Sequence, residues 1–345
     1  MPKRVTTKDV AELAGVSRTT VSFVLNDVKG MRISEETRQR VLDAVRELDY
    51  HPDATARRMV SGQTNVIGFV LRQSPDQAFG DYFLPQVLNG LSQAARSLNY
   101  HTLFEVIPPE EHAGAYMQLI QERHVDGIVL SGPRSDDVEL LNIHAEGAKV
   151  VLLGQLPESN IPFVDVNNIG GAHMATRHLI DLGHRRIAMI TNASPEYTAS
   201  QDRINGYMNA LKDSGIAYDP SLVRHGSFTQ ESGYNAMKEL LSIKPLPSAA
   251  FVASDTVALG AMQAIRERGL RIPQDIALCG FDDIPITEFI DPPLTTVRLP
   301  AQGLGWGAAN LLVRLIHEDD IQDPQVILET ELIVRASCGA NQSPN

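Results

Sequence analysis

Residues 8–22 read Lys8-Asp9-Val10-Ala11-Glu12-Leu13-Ala14-Gly15-Val16-Ser17-Arg18-Thr19-Thr20-Val21-Ser22. Val10, Ala11 and Ala14 share one face of a helix, and Thr6 stands three residues ahead of Asp9 at capping-box spacing. Gly15 breaks that helix. Ser17 caps a second one, which runs to Leu25 with Val21, Val24 and Leu25 turned inward. Two helices joined by Ala14-Gly15-Val16-Ser17 make a helix-turn-helix pattern. A third helix follows the loop 26–32. Ser34 caps it, Glu35 and Glu36 suit its N-terminal dipole, and Val41, Val45 and Leu48 form its apolar stripe. Pro52 ends this all-α unit.

The rest of the chain differs in charge and in pattern. Of 345 residues, 43% are hydrophobic and 21% charged, which is globular composition with material for two or three domains. Residues 1–62 hold 11 Lys+Arg and 9 Asp+Glu, whereas the remainder holds 19 basic and 33 acidic residues. A mildly basic head on a strongly acidic body suggests that only the head meets a polyanion. Two cysteines exclude a disulfide framework and suit a reducing compartment. Lys3-Arg4 is followed by Thr6-Thr7-Lys8-Asp9 instead of an apolar stretch, and no apolar run has the length of a membrane span. A cytoplasmic protein is expected.

From Asn65 onward, short apolar runs alternate with helical periodicity. Strands are expected at 66–71, 102–106, 127–130, 150–153, 186–190, 249–252 and 276–279, with helices such as 87–98, 172–182 and 257–268 between them. Gly183, Gly215 and Gly269 mark helix ends. This alternation predicts right-handed βαβ units and parallel sheets, packed as two αβ lobes with a cleft. The fold class is therefore α/β, with an N-terminal all-α headpiece.

The head's outward residues suit DNA. Arg18 can pair with guanine O6 and N7, Thr19 can meet base edges, and Ser17 with the first free amides can hold a phosphate. Ser22 and Phe23 complete that face. A generic three-helix bundle is the alternative reading of the same pattern.

The residue string resembles the headpiece of the lactose-repressor (LacI-type) family. The likeness rests on Lys8 to Ser17, Thr20-Val21-Ser22, Val24-Leu25-Asn26, and Ser34 through Tyr50 and Pro52. It resumes at Leu182-Gly183-His184-Arg185-Arg186-Ile187-Ala188, Ser254-Asp255, Ala258-Leu259-Gly260-Ala261, Gly280-Phe281-Asp282-Asp283 and Pro293-Leu294-Thr295-Thr296-Val297. The family implies a second helix in the major groove and a hinge that becomes helical only on the operator. Here the hinge is 53–60, with Met59 as the minor-groove wedge and Arg57 and Arg58 beside phosphates. Isolated helices shorter than about 12 residues are marginal in water, in keeping with conditional folding. Two positions depart from the pattern. Thr7 replaces an aliphatic residue. Phe23 replaces a hydrogen-bonding reader, and can either cover a thymine methyl or fold into the small core.

The resemblance also implies a body like periplasmic sugar-binding proteins. The domains are then 1–51 headpiece, 52–64 hinge and linker, and 65–345 effector and dimerisation body. The first lobe is about 65–167 with 301–327, and the second about 168–297 with 331–340. Chain crossings fall near 166–168, 296–300 and 327–330. A ligand would sit between lobes at the carboxyl ends of strands. Asp282 and Arg203 match the family's effector carboxylate and arginine, and Phe228 matches its stacking aromatic. Asp255 follows a strand end and could face the cleft. Phe79, Asp81, Tyr82 and Phe83 lie on an aromatic-rich loop after the first strand. Leu299 and Ser254 replace amide side chains of sugar-responsive relatives, which leaves the ligand's identity open.

Other motifs carry less. Gly303-Leu304-Gly305-Trp306-Gly307-Ala308 lacks the βαβ context of a dinucleotide fingerprint and reads as helix packing. His173, His178 and His184 lack metal-ligand spacing, so no metal and no cofactor are expected. No Gly-x-Ser-x-Gly elbow occurs, and no enzyme is expected. The leading function is a repressor whose affinity for an inverted-repeat DNA operator is lowered by a small sugar, acting as a homodimer. The alternatives are a purine or other corepressor in the same role, and a sugar-binding protein without a DNA role.

Overall fold

The computed structural model describes residues 5–25, 31–50, 63–108 and 114–340. Residues 1–64 and 65–345 form separate compact units, each treated by itself below.

In the head, α1 (Thr7–Ala14), α2 (Arg18–Leu25) and α3 (Glu35–Glu47) follow the signals in the sequence. Thr6 and Asp9 form a reciprocal capping box, and Gly15 closes α1 in the left-handed region at φ 65°, where a Cβ would be strained. The Ser17 hydroxyl accepts from Thr20 N at 3.0 Å. Ser34 does the same for Thr37 N at 3.2 Å. Val10, Val21 and Val41 are fully buried at the centre, and Ala11, Ala14, Val24, Ala44 and Tyr50 close around them. Thr7 has a defined partner: its hydroxyl lies 2.7 Å from the Tyr50 hydroxyl.

The body holds two six-stranded sheets. The first has the order β11-β5-β4-β3-β1-β2, built from β1 (Val66–Leu71), β2 (His101–Val106), β3 (Gly127–Ser131), β4 (Val150–Leu153), β5 (Phe163–Val166) and β11 (Gln325–Leu328). All its pairings are parallel. The second has the order β12-β10-β9-β8-β6-β7, from β6 (Ile187–Ile190), β7 (Val223–Arg224), β8 (Ala249–Val252), β9 (Ala277–Asp282), β10 (Thr295–Arg298) and β12 (Glu331–Ile333). It is parallel except for the β10–β12 pair. The chain passes between sheets after β5, after β10 and after β11.

Helices cover both sheets. The first carries α4 (Pro75–Gly80), α5 (Leu84–Ser97), α6 (Ala115–Gln121), α7 (Val138–Ala145) and, after the second crossing, α12 (Ala301–Ile316). The second carries α8 (Asn168–Asp181), α9 (Thr198–Asp213), α10 (Gln230–Leu240) and α11 (Asp255–Glu267). The glycine-rich run 303–308 lies inside α12, where it allows backbone contact with α5. A Cβ on Gly305 would strike the Val87 carbonyl, and one on Gly90 the Gln302 carbonyl. β5, β7, β10, β11 and β12 were not among the expected strands. They have two to four residues, and several carry polar side chains, so neither length nor alternation sets them apart from loop. No helix among the described residues is long and apolar enough to cross a membrane.

Candidate functional site

In the head, Arg18 and Thr19 are exposed on the first turn of α2, beside the capping Ser17. Ser22 and Phe23 are half-buried on the same helix. Phe23 is not among the described side chains that make the head's core or pack against it. Arg57, Arg58 and Met59 lie outside the described residues.

In the body, a cleft opens where the strand ends of the two sheets meet. Its cavity volume is about 110 Å³, counted as the space in which the centre of a water molecule fits. The first sheet contributes Gln73 beyond β1, Asp81 and Phe83 beyond α4, and Asp165 on β5. The second contributes Asn192 beyond β6, Arg203 on α9, Phe228, and Asp282 ending β9. Leu299 and Ser254, the body's departures from the family pattern, both line the wall.

Arg203 is the wall's cation. Its Nε donates to Asn168 Oδ1 at 2.9 Å, and its Nη1 donates to the Ala253 carbonyl at 2.6 Å. The guanidinium lies 4.0 Å above the Phe281 ring, and Nη1 is 3.9 Å from Asp282 Oδ1. Asn168 in turn donates to both Asp165 oxygens at 3.2 Å, and Gln155 Nε2 reaches Asp165 Oδ2 at 3.0 Å. A continuous polar network therefore ties the first crossing to the arginine.

Burial dominates the electrostatics. It pushes the Asp282 carboxyl up to about 7, against the pull of Arg203 and with added repulsion from Asp81. It likewise raises Asp81 to about 6, opposed by a hydrogen bond from Phe83 N, and Asp165 to about 6, opposed by Gln155.

The two lobes also touch each other directly. Arg134 and Tyr197 form an isolated antiparallel bridge, and the Arg134 guanidinium lies 4.9 Å from the Tyr197 ring centroid. Ser135 N donates to the Glu196 carbonyl at 2.9 Å, and Gln77 Nε2 to Ser227 Oγ at 2.6 Å. The Tyr197 hydroxyl donates to the Arg72 carbonyl, and its ring meets Phe228 edge-on at 5.1 Å.

Of the effector residues expected from sequence, the structure brings Arg203, Asp282, Phe228 and Phe83 together on the cleft wall. Three others lie off it. Asp255 is fully buried behind the wall, its oxygens taken by Phe281 N, Ile284 N and Thr296 Oγ1. Phe79 is 74% exposed and packs edge-on against Phe104, because the short α4 turns it away from the cavity. Tyr82 is half exposed, its hydroxyl 3.5 Å from Gln230 Nε2. The reading missed Gln73, Asp165, Asn168, Asn192 and Tyr197. Gln73, Asp165 and Asn192 sit at or just beyond the carboxyl ends of β1, β5 and β6, the signal that would have found them.

Comparison with known proteins agrees with both parts of the chain. The family model for bacterial regulatory proteins of the lacI family matches residues 6–53, and that for a periplasmic binding protein-like domain matches residues 176–338. The HTH-type transcriptional regulator CelR of Thermobifida fusca is 36% identical over 97% of this chain and 98% of its own length. The HTH-type transcriptional repressor PurR of Haemophilus influenzae is 34% identical over 96% of this chain and 98% of its own. Among solved structures, a CelR–cellobiose complex superposes with TM-score 0.74 at 34% identity, covering 97% of this chain and all of that one. The lac repressor dimer bound to operator and the anti-inducer ONPF superposes with TM-score 0.83 at 27% identity, over 97% of this chain and 99% of that one. The chain belongs to the lacI family of bacterial regulatory proteins and is a sequence-specific DNA-binding transcriptional regulator.

Proposed function

We propose that the protein is a homodimeric repressor of an inverted-repeat operator, released when a small sugar binds between the lobes of its body. Residues 1–51 form the reading head, 52–64 the hinge, and 65–345 the effector and dimerisation body. Ser17, Arg18, Thr19, Ser22 and Phe23 face the major groove, and Arg57, Arg58 and Met59 act at the centre of the operator. The protein performs no catalysis. The observation that carries the effector reading is the buried Arg203–Asp282 pair facing a cleft that also exposes Phe83 and Phe228. A carboxylate and a guanidinium hold sugar hydroxyls with charge-assisted hydrogen bonds, while aromatic rings cover the sugar's apolar face. The relative solved with cellobiose supports the same ligand class.

Release follows if the sugar prefers one lobe arrangement over another. Hinge segments too short to hold a helix alone would then separate and melt. Fluorescence anisotropy of a labelled operator, titrated with and without a panel of mono- and disaccharides, tests the reading. One sugar should weaken operator binding by roughly 5–150-fold, the usual scale of such coupling. A panel of sugars without effect, alongside a purine that tightens binding, would replace the inducer with a corepressor.

A further inference from the structure

The cleft wall carries three carboxyl groups and, among the described residues, one cation. Asp81 from the first lobe and Asp282 from the second line one cavity, and Asp81 adds to the rise of the Asp282 carboxyl. Asp165 adds a third carboxylate from β5. The one wall cation among the described residues, Arg203, donates its Nε to Asn168 and its Nη1 to Ala253. Asp81 Oδ1 accepts from Phe83 N at 2.9 Å, and its second oxygen has no hydrogen-bond partner among the described residues.

An independent observation points the same way. Gln73 lines the cavity, is only 4% exposed, and its Oε1 has no hydrogen-bond partner among the described residues. A buried acceptor left without a donor is a standing cost to the ligand-free protein. A ligand that donates to it removes that cost.

We propose that Gln73 and Asp81 are specificity-determining residues of the effector site, and that they select a saccharide bearing no anionic group. They take its hydroxyl or amine protons from the first lobe, while Asp282 takes them from the second. This rests on the cleft being the effector site. A sugar phosphate or uronate would bring an anion against three carboxyl groups, with one guanidinium on the wall to offset them. Like charges in a water-poor cleft repel strongly, and burial, joined at Asp282 by repulsion from Asp81, already holds the Asp81 and Asp282 carboxyls up at about 6 and about 7. A neutral polyol brings no such charge and can donate its hydroxyl protons to these oxygens. By donating on both sides, it satisfies carboxyl oxygens of both lobes at once.

The test is calorimetric titration of the full chain with cellobiose and other neutral saccharides, glucosamine, glucose 6-phosphate and glucuronate. A neutral or amine-bearing saccharide should bind, with anionic sugars weaker by about 100-fold or more, the scale of rejection expected from unpaired buried charge. Asp81→Asn should shrink that ratio by about 10-fold, weakening the neutral ligand and admitting the anionic one. Gln73→Leu should weaken the neutral ligand and leave the exclusion of anions in place. Equal binding of neutral and anionic sugars, a ratio unmoved by Asp81→Asn, or a panel with no binder would each overturn the proposal. Undiminished saccharide binding by Arg203→Ala would instead overturn the cleft site itself.

Discussion

Asp255 holds Asp282 in place from behind. The Asp255 backbone amide donates to Asp282 Oδ2 at 3.3 Å. The Asp255 carboxylate accepts Phe281 N at 2.9 Å and Ile284 N at 3.1 Å, and so grips the backbone on both sides of Asp282. Thr296 Oγ1 completes the shell at 2.7 Å from Oδ1. This grip is needed because Asp282 and Asp283 sit at φ 121° and 58°, where side-chain-bearing residues are strained. Asp283 is pinned in turn by Arg298 and Arg335, each at 2.7 Å. The two aspartates the sequence places in one cleft thus have separate tasks: one faces the cavity and the other fixes its geometry.

Asp255→Ala strands two buried amides and frees a strained turn. Each orphaned buried donor costs about 1–3 kcal/mol, so the body should lose on the order of 3 kcal/mol of stability. Urea unfolding followed by circular dichroism reads this directly. A midpoint within error of the parent would remove Asp255 from the bracing role.

The α5–α12 contact makes a paired prediction inside one glycine run. In Gly305→Ala, the new methyl meets the Val87 carbonyl, and backbone cannot yield as a side-chain tip does. A loss of about 1–3 kcal/mol is expected, as for other overpacked sites. In Gly303→Ala, the nearest atom is the Leu328 Cδ1 methyl at 3.4 Å, so stability should stay within about 0.5 kcal/mol or rise through better helix propensity. Equal losses in both would mean that propensity, and not close approach, governs the run.

The cleft carboxyls also set a pH dependence. Asp282 and Asp81 bind protons more tightly folded than at their ordinary value of 3.8, near about 7 and about 6. Stability from such raised groups is full below 3.8 and is lost as pH rises through about 6 and 7. Asp282→Asn lacks one of them, so the ligand-free variant should gain on the parent between pH 4 and pH 7, whatever the constant offset between the two. Thermal melts across that interval measure the slope, and parallel curves would mean that Asp282 keeps an ordinary acidity.

On the DNA side, Arg18→Ala should cost about 1–3 kcal/mol of operator affinity and relax one base position in each half-site. Binding-site selection with parent and variant heads shows whether preference is lost at a defined position. An unchanged preference would move α2 out of the reading role.

The head was legible almost to the residue because its signals are local. Thr6 with Asp9, Gly15, Ser17 and Ser34 each announce a helix end through a single hydrogen bond or a single backbone angle. The long strands of the body were legible from unbroken apolar runs such as Ile67–Leu71, buried on both faces. The cleft was legible only in part. Arg203 and Asp282 stand within strings that resemble a known family, whereas Gln73, Asp165 and Asn192 depend on where a strand stops. For Asp165 the strand itself has four residues and carries the aspartate within it, so no periodicity reveals it. Asp255 was misassigned to the cleft for a related reason: sequence locates it at a strand end but does not say which of its neighbours' amides it will take.

The coupling of cleft to operator is tested most directly by titrating labelled operator with the parent, Arg203→Ala and Asp282→Ala, each with and without the inducing sugar. Both variants should bind operator as tightly as the parent without sugar and should stay bound when sugar is added. A normal release of DNA by sugar in both variants would contradict the assignment of the effector site to this cleft.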